Sequence, residues 1–423
     1  MSYKDKIFVQ IASYRDPELV PTIQDMLNNA TRPDNLVLSI AWQHSSEDEW
    51  DNLSEFENDS RFKIIDIDYN DTKGVCWARN LTQQLYSGEE YTLQIDSHMR
   101  FVKGWDDIAI NQIKELQNKG YKKPLLTCYA PSYDPENDPD ARVNIPWRMN
   151  FDRFTPEGVV FFLPEGIPDS EDLNSPVPAR FYSAHFCFTL GCFSKEVMHD
   201  PQYYFHGEEI SIAARAFTHG YDLFHPHRII AWHEYTRKNR NKHWDDCNNW
   251  QKRNTDCHLR NRKLFGIDSI ENDIEFNEYG FGDVRTLRDY EKYAGLLFEN
   301  RSVQQYTLDK EYPPNPVIES EEEWKNSFTS VFKHCIDVSF DSLPEDDYNL
   351  LVTAIKDESG REIHRKDLTT DEIVKLKNDP DGYGKIWVEF NTSVKPKTWL
   401  IWPRSSSKGW CDQIIGNINK HGK

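Results

Sequence analysis

The chain has no apolar run of about 18 residues or more, the length a spanning helix needs, so a soluble protein is expected. Its opening residues lead straight into the apolar stretch Ile7–Ala12 with no signal-type h-region or cleavage site, so no secretory signal is expected. Cysteine is sparse. Eight cysteines among 423 residues, none in CxxC spacing, argue against a disulfide framework and for thiols in a reducing, cytoplasmic setting. His243, Cys247, Cys257 and His258 lack the spacing of a zinc finger and sit in a very polar stretch. Positive charge is also short: 50 Lys and Arg against 70 Asp and Glu give a net charge of −20, which repels nucleic-acid phosphates and anionic membranes. No internal repeat stands out.

What is present is length and alternation. The chain has room for a core enzyme domain of roughly 250–300 residues and a smaller appendage, placed here at 1–300 and 301–423. Strand-like Ile7–Ala12 leads into a helix carrying Leu19, Ile23, Met26 and Leu27 on one face, with Asp16 as N-cap and Pro17 as first helical residue. Strands at 35–42 and 61–67, a helix at about 76–86 and a strand from Tyr91 follow. The order predicts an α/β, Rossmann-like parallel sheet whose ligands bind beyond the carboxyl ends of the strands, where Ser13–Asp16, Gln43 and Asp96–His98 fall.

The proline-rich acidic stretch from Pro131 to Pro178 reads as a long functional loop, and acceptor contacts are expected there. A strand over Phe181–Leu190 follows, then a helix opening at Glu208 and stopped by Gly220. Beyond 300, short strands at 335–340, 348–355, 385–390 and 398–402 predict a small β-sandwich.

Four groups of residues carry chemistry. Asp96 closes the alternating strand from Tyr91, and His98 lies two residues on; side chains two apart on an extended chain face the same way, so both can reach one divalent ion. Glu208 and Glu209 open a helix, where carboxylates also simply favour the helix dipole. His233 follows a strand-like run, and Arg237, Lys238, Arg240, Lys242 and His243 form a cationic stretch in an acidic protein. Taken singly, each has a bland reading as a solvated strand end, a helix cap, a packed histidine or a surface loop.

Their order along the chain is more specific. Asp96-Ser97-His98, Gly207-Glu208-Glu209 with Arg215, and His233 resemble the GT-A nucleotide-sugar transferases, in particular the polypeptide N-acetylgalactosaminyltransferases. ASYRDPE at 12–18, LQIDSHMRF at 93–101 and HGEE at 206–209 are more closely similar to the cytoplasmic hydroxyproline-directed N-acetylglucosaminyltransferase family. The resemblance covers roughly residues 6 to 260 and implies a GT-A fold with a smaller C-terminal β-sandwich-like domain.

The resemblance implies a metal-dependent enzyme moving N-acetylglucosamine from UDP-N-acetylglucosamine to a hydroxyl, with retention of anomeric configuration. Asp96, His98 and His233 are the implied ligands of Mn²⁺, and Mg²⁺ or Co²⁺ also fits one oxygen and two imidazoles. Ser13, Arg15 and Asp16 are implied to hold base and ribose, with Gln43 and Ser97 beside them. Arg79 and Asn80 match the helix that approaches the donor, where Arg79 can pair with a phosphate or orient Asp96. Arg237 and Lys238 would close over the diphosphate as a lid. Glu208 faces donor sugar or acceptor, and Glu209 falls where inverting relatives keep their base.

Unlike the N-acetylgalactosaminyltransferases, the chain is expected to have no membrane anchor and no lectin-like disulfide module. The implied partners are a UDP-sugar donor and an acceptor that is a protein hydroxyl, a glycan precursor or a small molecule; no nucleic acid and no membrane span are expected. Two rival readings stay open: a transferase building a polysaccharide from another UDP-sugar, and a non-catalytic carbohydrate-binding protein in which Trp399, Trp402 and Trp410 stack on sugars rather than fill a core.

Overall fold

Ile7–Tyr14 is apolar on both faces, as a strand needs when helices cover both sides of a sheet. It forms β1, next to the middle of the largest sheet. The computed structural model describes residues 4–155, 157–238, 240–378, 383–392 and 394–418. Strands β2 (Leu36–His44), β3 (Phe62–Asp68) and β4 (Tyr91–Asp96) run parallel to β1, in the order β3-β2-β1-β4. Helices α1 (Leu19–Asn29) and α2 (Val75–Gln83) connect them in part, each packing its apolar stripe on the sheet.

Beyond β4 the predicted all-parallel sheet gives way to a mixed one. After the short β5 (Met99–Phe101) and helix α3 (Trp105–Asn118), strand β6 (Pro124–Thr127) joins the sheet, and β10 (Phe186–Leu190) inserts antiparallel between β4 and β6. Apolar alternation is the same for either strand direction. Direction is decided by the connection, and no helical crossover lies between β6 and β10 to force a parallel return. Strand β11 (Asp222–His225) continues parallel to β6, and β9 (Val177–Pro178) closes the edge antiparallel.

The proline-rich stretch is not one loop. It contains a two-stranded hairpin, β7 (Trp147–Phe154) and β8 (Val160–Gly166), whose Met149, Phe151 and Phe162 enter the main core. The strand expected over 181–190 begins only at Phe186. A single turn, α4 (Phe193–Glu196), precedes the long α5 (Glu208–Thr218), and β12 (Ala231–His233) pairs antiparallel with β5.

The core under the large sheet runs on through Leu296, Phe298 and Val303, on both sides of residue 300. From there β13 (Leu296–Leu297) and β14 (Ser302–Gln304) lead to β15 (Phe328–Ser339). Strands β16 (Tyr348–Asp357), β17 (Glu362–Leu368), β18 (Tyr383–Thr392) and β19 (Pro396–Ser405) complete the C-terminal part. They lie in two antiparallel sheets, one holding β15 and β18, the other β17, β16 and β19. Ile336, Val338, Leu351, Ile355, Ile386, Val388 and Ile401 from both sheets fill one shared core, the sandwich-like packing expected. Strand β17 had no counterpart in the sequence reading because EIHRKDL is largely polar and exposed on both faces.

Candidate active site

The site begins where β1 and β4 end side by side, with Ala12 in register with Asp96. The chain does not stay extended past Asp96. Thr22 of α1 clamps a turn there, its Oγ1 donating to the carbonyls of Ser97 (2.9 Å) and Met99 (3.1 Å) and accepting from Met99 N–H (2.8 Å). Asp96 and His98 still converge, through this turn rather than through strand alternation: His98 Nε2 lies 3.7 Å from Asp96 Oδ2.

The same turn aims β5 at β12. Their antiparallel pairing sets His233 opposite Met99, and Glu234 N–H donates to His98 O at 3.1 Å. His233, 137 residues from Asp96, thereby brings Nε2 to 3.4 Å of Asp96 Oδ2. Asp96, His98 and His233 offer one ligand atom each within 4.8 Å of one another, the only such group of three among the described residues. The cysteines and histidines at 243–258 form none; Cys257 is buried, its thiol donating to His206 O.

The donor set suits a divalent ion in its electrostatics as well. Burial would raise the Asp96 carboxyl, but His233, Arg79 and His98 together outweigh it and hold it well below the usual carboxylate range. Burial pushes His233 down to about 4, so its imidazole is neutral at pH 7 and free to ligate. His98 Nδ1 donates to Asp16 Oδ2 at 2.7 Å, which leaves Nε2 as the lone-pair nitrogen toward Asp96. A carboxylate behind a ligand histidine is the usual way a tautomer and ring orientation are fixed for a metal. Burial would also raise Asp16, but His98, Arg240 and Ser97 outweigh it and hold Asp16 at about 2. Ser97 Oγ donates to the same oxygen at 2.7 Å.

Asp16 therefore stands behind the cluster and is not the helix N-cap expected: α1 starts at Leu19 after Glu18. Arg79, buried on α2, donates to Asp96 Oδ1 at 2.8 Å and reaches Glu208 Oε1 at 3.4 Å. It links the cluster to the acid pair. Gly207, at φ 108 in the left-handed region, lets the chain turn into α5 so that both glutamates face inward. Glu209 accepts from Ala184 N–H (2.9 Å) and Tyr129 O–H (3.0 Å). Burial raises both carboxyls, and each is raised further by nearby negative charge, so the pair favours carrying a proton near neutrality.

The remaining predicted residues are spread around this centre. Ser13 and Gln43 are buried; Gln43 Nε2 donates to Ser13 O at 2.9 Å, while Ser13 Oγ and Gln43 Oε1 have no protein partner. Arg15 is held by Asp48 (2.6 Å) and Asp246 (3.1 Å) and lies over the Tyr69 ring. Asn80 turns away, its amide donating to His199 O at 2.8 Å. Arg237 and Lys238 are exposed, with Arg237 over Phe205 and Trp244. Arg215 sits fully buried, donating to the carbonyls of Met198, Glu278 and Gly280, away from the cluster.

Several residues at the centre escaped the sequence reading. Arg240, named there only as one cation of five, donates to Asp16 Oδ2 at 2.9 Å, lies against the His98 ring and pairs with Glu234 at 3.2 Å. His185 stacks on His233 with ring centroids 4.2 Å apart, and Tyr235 packs on the same ring at 4.3 Å. His185, within the apolar run expected as a strand over 181–190, carried no local signal; Tyr235, two residues after His233, could have been found by that spacing.

The family model described as Glycosyltransferase (GlcNAc) matches residues 6–59 and 49–300, more than half of the chain. No curated protein matches the sequence. Among solved structures, GalNAc-T7 with UDP, GalNAc and Mn²⁺ is 12% identical over 68% of this chain and 54% of that one, at a TM-score of 0.42. The mannosyltransferase PcManGT from Pyrobaculum calidifontis, in complex with GDP-Man and Mn²⁺, is 10% identical over 56% of this chain and 58% of that one, at 0.36. S. aureus TarS is 9% identical over 98% of this chain and 77% of that one, at 0.37. The chain thus spans little more than half the length of the first two. The Asp96–His98–His233 cluster and the Glu208–Glu209 pair lie within the matched residues, and the chain belongs to the GlcNAc glycosyltransferase family.

Proposed function

We propose that the protein transfers N-acetylglucosamine from UDP-N-acetylglucosamine to a hydroxyl acceptor, with a divalent ion, preferentially Mn²⁺, held by Asp96, His98 and His233. The observation that carries this reading is the convergence of one carboxylate and two imidazoles backed by the buried Asp16. A bound divalent ion would stabilise, as a Lewis acid, the negative charge that collects on a diphosphate leaving group. The chain's own residues prepare that step. Asp16 fixes the His98 tautomer, Arg79 orients Asp96, and Arg240 adds a fixed cation beside the cluster.

Ser13 Oγ and Gln43 Oε1, buried and unpartnered beside the β1 and β2 ends, are suited to hydrogen-bond the base and ribose, with Arg15 and Ser97 close to that wall. Arg237 and Lys238 sit on the exposed loop after β12, where a lid over the diphosphate would lie. Glu208 and Glu209, biased toward the protonated form, suit positioning of hydroxyls better than strong-base catalysis. That agrees with retention and an α-linkage, in which the leaving phosphate takes the acceptor proton. The acceptor in this reading is a protein or glycan hydroxyl approaching over the β7–β8 hairpin. The eight free thiols agree with a cytoplasmic setting, and no described helix is long and apolar enough to cross a membrane. The division into a transferase domain and a linker with a small β-rich domain belongs to the same proposal, with the first core extending past the expected boundary at residue 300 as far as Val303.

A UDP-release assay across UDP-sugars, with EDTA and with Mn²⁺ restored, tests the reading. UDP-N-acetylglucosamine should give the fastest release, EDTA should abolish it, and Asp96→Ala should lower it by roughly 10²-fold or more. Release that is indifferent to EDTA and to Asp96→Ala would reject the metal role. The anomeric coupling of the product, read by NMR, tests retention.

A further inference from the structure

The outer face of the β15–β18 ladder carries aromatic rings that the fold does not use. Strand β18 alternates strictly: Gly384, Ile386 and Val388 are buried, while Tyr383, Lys385, Trp387 and Glu389 point to solvent. Its partner β15 turns Ile336 and Val338 into the same core, so the inner face of the ladder is complete without the two rings. Tyr383 is 53% exposed and Trp387 56% exposed. Both rings stand free on an otherwise polar face, with their apolar surface open to a stacking partner.

The register shows what surrounds them. Ser339 lies opposite Tyr383, Asp337 opposite Lys385, Cys335 opposite Trp387 and Lys333 opposite Glu389. The face therefore reads ring, opposite-charge pair, ring, opposite-charge pair along its length, and Lys333 Nζ meets Glu389 at 3.1 Å. The rings lie four positions apart along β18, a spacing of roughly 13 Å at about 3.3 Å per residue.

This pattern discriminates among ligands. A protein-interface core is a contiguous, charge-depleted apolar patch, whereas here each ring is cut off from the next by charges. Single-stranded nucleic acid also stacks on aromatics, but it needs a positively charged track, and this face balances Lys333 and Lys385 against Asp337 and Glu389 in a protein of net charge −20. The complementary ligand is electrically neutral and extended, offers flat C–H faces to the rings, and offers hydroxyls to the charged pairs between them. An oligosaccharide of several pyranose units has that chemistry.

We propose that the β15–β18 outer face is a second carbohydrate-binding site, separate from the transferase centre, in which Trp387 and Tyr383 are stacking platforms for a neutral oligosaccharide. These are not the tryptophans the sequence suggested. Trp399 packs in the C-terminal core, Trp402 donates from Nε1 to Cys411 O, and Trp410, though 48% exposed, has its ring against Trp402 at 4.4 Å.

The test uses the full-length protein and neutral glucan, mannan, xylan and N-acetylglucosamine oligomers of two to six units, screened on an array and then titrated by tryptophan fluorescence and calorimetry. At least one series should bind and should tighten with chain length as the second ring is reached. Trp387→Ala should weaken binding at least tenfold, Tyr383→Ala several-fold, and Trp387→Tyr should restore most of the loss. UDP binding, UDP-sugar turnover and Tm should stay unchanged, which separates this site from the proposed donor site. No binding across all four series, or binding that survives Trp387→Ala, overturns the proposal; so does a change in sedimentation mass with Trp387→Ala, which would assign the face to self-association.

Discussion

Asp16 gives the proposed metal site its sharpest test at the scale of a single side chain, because it supports the cluster without being one of the three ligands. Its carboxylate takes hydrogen bonds from His98, Ser97 and Arg240. Asp16→Asn keeps the shape but removes the charge that fixes the His98 tautomer. Mn²⁺ affinity measured by calorimetry should fall about 10–100-fold while the fold is retained. The buried acids set the pH dependence of stability, with opposite signs. Glu208 and Glu209 have folded-state pKa values raised by burial above the ordinary 4.5, so the folded chain binds their protons more tightly than the unfolded chain. Their contribution is fully present below about 4.5 and is lost as pH rises through the folded value. Tm measured in EDTA at fixed ionic strength should decline from pH 5 into the alkaline range, and Glu208→Gln should flatten that decline. Asp16 and Asp96 are lowered, so their contribution holds above the ordinary carboxyl value and is lost only as pH falls toward about 2 for Asp16.

Among the elements, α2 shows how a backbone position governs a functional side chain. Gly74, at φ 114, precedes the helix that carries Arg79, and a Cβ there would come within 2.8 Å of both the Tyr204 ring and the Tyr204 carbonyl oxygen. Gly74→Ala should cost about 1–3 kcal/mol in backbone strain, read as a lower denaturation midpoint, and should reduce turnover by displacing Arg79 from Asp96. At this scale the sequence was most legible in β1, β2 and β3, where apolar residues and flanking turn signals marked strands to within two residues. It was least legible where direction or interruption mattered. Nothing in Phe186–Leu190 says antiparallel, and although the strand end at Asp96 was legible, nothing in Tyr91–Phe101 says that Thr22 of α1 clamps a turn beyond it.

In the whole molecule, the segment after β14 is clamped onto the first core. Arg180 donates to Ala294 O and to Asn315 Oδ1 (2.6 Å), and Asn315 is tied in turn to Gln304 and Thr307. Val303 and Thr307 are buried with them. A chain ending at residue 300 loses this clamp and should unfold at lower denaturant than one ending at 320, a difference circular dichroism can follow; equal midpoints would show that the clamp contributes nothing to the first core. The sequence by itself determined the α/β class, the C-terminal β-rich part and the candidates for chemistry, because local alternation, caps and short motifs are written in neighbouring residues. Whether Asp96 and His98 meet His233, which of five cations reaches the cluster, and which aromatics are left in water were decided only by tertiary structure. Those outcomes depend on the β5–β12 pairing and the β15–β18 register, contacts between residues far apart in the chain that no local pattern encodes.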